Sequence, residues 1–93
     1  MYVVREVFTA KPGMASKLAA LFKDLFQLMD MKSRVLTDFI GPFNTVVLET
    51  EVADLDEFDQ KMAEYGARQD IREKMKGYTD MYVTGRREVY RVT

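Results

Sequence analysis

The sequence predicts an α+β domain in the element order β-α-β-β-α-β, with one antiparallel sheet and its helices on a single face. Three observations carry this. Two similar β-α-β halves meet at Gly41-Pro42, segments of helical period lie between segments rich in β-branched and aromatic residues, and hydrophobic and charged residues make up 47% and 31% of 93 residues. One dry core under a wet surface follows.

Residues 2–10, YVVREVFTA, read as a strand that stops at Lys11-Pro12-Gly13. From Met14 to about Met31, the residues Met14, Leu18, Leu21, Phe22, Leu25, Leu28 and Met29 fall within an arc of roughly 120° at ~100° per residue, which defines an amphipathic helix. Residues 33–40, SRVLTDFI, form a second strand, Gly41-Pro42 breaks it, and 43–52, FNTVVLETEV, form a third. Asp54-Leu55-Asp56-Glu57 has the form of a capping box and starts the second helical region. Leu55, Phe58, Met62 and Tyr65 share one face, whereas Ile71, Met75 and Tyr78 are about half a turn out of phase. The helix is therefore expected to break near Gly66 and restart at a second acidic box, Asp70-Ile71-Arg72-Glu73. Gly77 closes it, and residues 79–92 form a long last strand with a bulge or bend at Gly85.

This order is the ferredoxin-like plan. Apolar residues occur on both sides of its strands: Val3 and Val7 against Val4 and Phe8, Val47 against Val46 and Leu48, and Met81, Val83 and Val89 against Tyr82, Tyr90 and Val92. A sheet apolar on both faces needs a cover for the second one, and the expected cover is another copy of the chain.

Composition narrows the chemistry. There is no histidine, which excludes imidazole bases and His-ligated metals, and no cysteine, which excludes disulfides, thiolate nucleophiles and cysteine metal sites. No metal site and no cofactor are expected. Fourteen scattered basic residues balance fifteen acidic ones, so no nucleic-acid footprint is expected. No apolar run approaches the roughly 20 residues needed to span a bilayer, so no membrane partner is expected either. A domain that folds without disulfides suits the cytoplasm.

The Lys11-Pro12-Gly13 turn after the first strand, the Leu- and Phe-rich helix, the Leu55-Asp56-Glu57-Phe58 helix start and the D-x-x-E that follows resemble the dimeric α/β-barrel superfamily, and within it NIPSNAP-like proteins. The resemblance spans nearly the whole chain. It implies a homodimer whose sheets pack face to face, with a pocket in each subunit between sheet and helices. Members of the superfamily include cofactor-free oxygenases of aromatic polyketides, haem-degrading oxygenases, isomerases and proteins without known activity; the missing histidine counts against the haem branch.

Any acid or base must be Asp, Glu, Lys or Tyr, and any anion-stabilising donor Arg, Lys, Asn or backbone N–H. Asp38, flanked by Leu36, Phe39 and Ile40, is the candidate base, weighed against a solvent-facing or ion-paired carboxylate. Arg5 and Glu6 point to opposite faces, so one of them meets the helices or the dimer seam, with Arg86, Arg87 or Glu88 as the expected partners. Arg5 or Arg87 is the candidate anion stabiliser. Tyr65 and Tyr82 are candidates to stack on a flat ligand, and Asn44 is a candidate ligand contact whose default role is a turn residue. The seven methionines could fill the core or line an adaptable pocket. Two functions follow: a dimeric module that binds a small apolar ligand, or a cofactor-free monooxygenase or isomerase acting on an aromatic or polyketide-like molecule.

Overall fold

The computed structural model describes residues 1–93. Its elements run β1 (Tyr2–Ala10), α1 (Ala15–Gln27), β2 (Lys32–Thr37), β3 (Thr45–Val52), α2 (Leu55–Ala67), α3 (Gln69–Met75) and β4 (Tyr82–Arg91), with a 3-10 turn at Tyr78–Asp80 before β4. The sheet is antiparallel in the order β2-β3-β1-β4, as the ferredoxin-like plan requires. No helix is long and apolar enough to cross a membrane.

Register separates the two faces. On β1, Val4, Glu6 and Phe8 lie opposite Thr50, Leu48 and Val46 of β3 and opposite Val89, Arg87 and Gly85 of β4, and this face carries the helices. Its core forms two clusters. The larger gathers Phe8, Leu18, Phe22, Leu25, Val46, Leu48, Tyr65 and Ile71, the smaller Val4, Val52 and Phe58, and Met31 and Met62 pack against both.

Several expectations shift by a few residues, each for a local reason. The second strand ends at Thr37 rather than residue 40, because the 38–44 loop leaves the ladder. Gly41 (φ 148°) and Asn44 (φ 65°) turn that loop, and Asn is among the few side chains at home in the left-handed region. Phe39, Ile40 and Phe43 consequently stand 97%, 91% and 84% exposed. The first capping box forms: Asp54 Oδ1 accepts the Glu57 N–H at 2.8 Å, and Glu57 Oε2 reaches back to the Ala53 N–H at 2.7 Å. The helix break falls at Arg68 (φ −80°, ψ 130°) rather than Gly66. Asp70 is not the expected cap of α3; it lies in the first turn and holds the Arg68 guanidinium at 3.1 and 2.6 Å.

The irregularity of β4 lies at Val83 rather than Gly85: Thr84 pairs with Thr9 and Tyr82 with Ala10, so the register slips between them. It rotates Tyr82 onto the helix face, against Phe8 and Tyr78, rather than to the side of Tyr90. Gly85 suits a close approach, since a Cβ there would stand 3.0 and 3.1 Å from the Phe8 ring, tighter than ordinary packing.

The outer face is more charged than the strand pattern predicts. Between Val3, Val7, Leu36 and Val47 runs a ladder of ion pairs: Lys32–Glu51 at 2.9 Å, Arg34–Glu49 at 2.7 Å and Arg5–Glu49 at 3.1 Å. Charges opposite one another on neighbouring strands account for it, each pair contributing a few tenths of a kcal/mol to about 1 kcal/mol.

Candidate functional site

At its centre, the sheet surface under the helices carries three polar residues, Glu6, Thr50 and Arg87, on three adjacent strands. None of these can fill the interior as Leu or Phe would. Thr50 is buried and satisfied by the Ser33 hydroxyl at 3.0 Å. Between the sheet and the helices, a cavity of about 210 Å³ remains. Phe22, Leu25, Phe26 and Met29 come from α1 and its end, Phe58 and Met62 from α2, and Met75 and Tyr78 from α3 and the turn after it. Eleven of its fourteen lining residues are hydrophobic, the exceptions being Glu6, Thr50 and Arg87.

Glu6, Phe8, Tyr78 and Arg87 also line an open groove along β4 that includes Tyr82, Thr84 and Gly85. These four residues form the boundary between cavity and surface. Arg87 Nη2 donates to Glu6 Oε2 at 3.3 Å, and its guanidinium lies 5.2 Å from the centre of the Phe58 ring, within cation-π range. The phenol of Tyr78 is pushed above its ordinary value, first by burial, then by the neighbouring Tyr82 hydroxyl and the negative charge of Glu6. At neutral pH it is a protonated hydroxyl, able to donate.

The candidates from sequence divide sharply. Arg87 lines both cavity and groove, and Tyr82 lines the groove. Arg5 is on the outer face with Glu49, not with the last-strand partners expected for it; Glu6 takes the inward position and finds Arg87. Asp38 lies in the loop beyond β2, not mid-strand, and its carboxylate accepts the Thr45 N–H at 2.9 Å. Asn44 performs the turn, and its carbonyl accepts the Ala10 N–H at 2.8 Å. Tyr65 is buried in the core with its hydroxyl accepting the Asp30 N–H at 2.6 Å, which ties α2 to the α1–β2 connection. None of Asp38, Asn44 and Tyr65 lines the cavity. Glu6 had a legible signal, a charge in phase with Val4 and Phe8; Phe58 and Tyr78 read as ordinary helix residues.

A four-stranded sheet with an apolar cavity under its helices and an ion pair at the cavity's edge defines a ferredoxin-like domain built around a small interior site. Solved structures share the fold over its full length. An uncharacterized NIPSNAP-like domain protein from Burkholderia xenovorans superposes with a TM-score of 0.87 at 17% identity, over 99% of this chain and 84% of the other. A NIPSNAP family protein from Agrobacterium tumefaciens gives 0.85 at 13% identity, over 99% and 92%. A putative antibiotic biosynthesis monooxygenase from Deinococcus radiodurans gives 0.71 at 14%, over 100% and 93%. The likeness is one of fold, and it is the fold of NIPSNAP domain proteins that the short motifs pointed to. No family model matches the sequence, and no curated protein matches it.

Proposed function

We propose that the protein binds a small apolar ligand between its sheet and helices. The observation that carries this is the cavity: about 210 Å³, walled by aromatic rings and methionines, with three polar side chains on one wall. An apolar cavity of ~150 Å³ holds benzene, and pockets for drug-sized ligands run from ~300 Å³, so the space fits one or two rings or a short acyl chain. A tetracyclic polyketide needs more room than this. Methionine ¹³C-methyl spectra test the reading. Titration with naphthalene-2-carboxamide is expected to shift the methyls of Met29, Met31, Met62 and Met75 and to leave those of Met1 and Met14 in place. Unmoved cavity methyls at saturating ligand would end it.

The working unit in this proposal is a homodimer joined through the outer sheet faces. Support comes from Val3, Val7, Leu36 and Val47 on that face and from the adjoining loop, whose Phe39, Ile40 and Phe43 form a large exposed apolar tip. The charges of the face are largely paired within one chain, Arg5 and Arg34 sharing Glu49, which lowers the cost of covering them. Light scattering at low micromolar concentration is expected to give twice the monomer mass, and Phe39→Ser with Phe43→Ser to shift it toward the monomer. A wild-type monomer contradicts the assembly.

A second reading, cofactor-free oxygenation or isomerisation of an aromatic compound, draws on the fold shared with the putative monooxygenase and on the Arg87 guanidinium, placed to stabilise an oxyanion beside the cavity. In it the base role passes from Asp38, outside the cavity, to Glu6 at its wall.

A further inference from the structure

We propose that the ligand is a carboxylate, an aryl or short acyl acid whose apolar body fills the cavity and whose anionic end is held by Arg87 and Tyr78. This rests on the cavity-binding reading and specifies the ligand's polar end.

Two of the seven arginines have several donors engaged. Arg68 uses Nε and Nη2 on Asp70 and Nη1 on the Leu28 carbonyl, and Arg34 grips Glu49 through Nε and Nη2. Arg87 is different. Of the five N–H donors of its guanidinium, one makes a side-chain hydrogen bond, to Glu6 at 3.3 Å, at the long end of the range for a charged pair. That fork stands at the wall of a mostly apolar cavity, where planar two-point binding of a carboxylate is the interaction it makes best.

Glu6 then acts as an internal stand-in for the ligand. It is a carboxylate on the cavity wall, joined to Arg87 by one long contact, in a pair half open to solvent. Such a pair is held together weakly, so an incoming carboxylate that offers two shorter bonds can take its place. Tyr78 adds a second hydroxyl donor at the same boundary. The groove on the far side of these residues, between Tyr82 and Gly85, gives a path from solvent. A neutral apolar ligand would fill the interior equally well but leave the guanidinium with its weak internal partner, so the polar end is where selectivity arises.

The test compares 2-naphthoate with its neutral isostere naphthalene-2-carboxamide, by calorimetry and methionine-methyl shifts together. The wild type is expected to favour the acid at least tenfold. Arg87→Gln should reduce that preference to near unity, Arg87→Lys should retain part of it, and Glu6→Gln should strengthen binding of the acid several-fold by removing its competitor. Cavity methyls that move with the amide but show no preference for the acid overturn the carboxylate assignment and leave the cavity reading standing. So does an acid preference that survives Arg87→Gln. Methyls that move with neither compound overturn both.

Discussion

Phe22→Ala is expected to cost about 3–5 kcal/mol, the range for truncating a fully buried phenylalanine. The ring is 1% exposed, stacks on Phe8 at 5.2 Å, meets Tyr78 edge-on at 6.2 Å and belongs to the larger core cluster. Its removal deletes the side chain that joins the β1 aromatic to the turn before β4. Because Phe22 already borders the cavity, the vacated volume merges with existing space, and neighbours have little to collapse onto. For a domain this size the melting temperature should fall on the order of 20 °C. Urea unfolding followed by far-UV circular dichroism measures it, with Phe22→Leu as a milder companion. A loss under about 1 kcal/mol would mean that the aromatic cluster is not the centre of the core.

Gly85→Ala is expected to cost about 1–3 kcal/mol, although it adds a single methyl to an exposed strand. The new Cβ would lie 3.0 Å from Phe8 Cδ1 and 3.1 Å from Cε1. That ring has little freedom to retreat, since Phe22 is stacked behind it and Tyr82 packs beside it at 4.9 Å. Either β4 moves away from β1 or the Phe8–Phe22 pair is pushed toward the cavity. Thermal melts of the variant, alone and with naphthalene-2-carboxamide, measure the cost, and the added ligand should recover less stability than it gives the wild type. A melting temperature equal to wild type would show that the strand yields freely.

The fold was legible because its signals are local. The period of α1, the capping box at Asp54 and the glycine at 77 each fix an element from its own residues. Where the reading slipped, backbone turns and register decided, which hydrophobic periodicity does not encode. Phe39 and Ile40 extended a plausible strand on paper, but Gly41 and Asn44 turn them outward. With that the case for Asp38 as a mid-strand base lost its premise. Tyr82 was assigned to the wrong face because strict alternation cannot anticipate a register slip at Thr9/Ala10. The Glu6–Arg87 contact was half visible, since alternation puts exactly one of Arg5 and Glu6 inside. The cavity was expected only through the family resemblance, and its lining was not legible. It exists because residues of three strands and three helical segments leave a space among them, and no window of sequence contains that sum.

The place of β1 in the sheet also governs the order of events in folding. The first strand sits in the middle, between β3 and β4, and its contact partners on β4 lie about as far off in sequence as the chain allows; Glu6 and Arg87 are 81 residues apart. Neither the sheet nor the cavity wall can be completed until the last strand has docked. Closing such a loop costs entropy before any contact repays it, so β4 docking should be late and should set the folding rate. The cavity is then one of the last features to form, and an occupant would act chiefly by slowing the departure of β4, lengthening the lifetime of the native state rather than hastening its arrival.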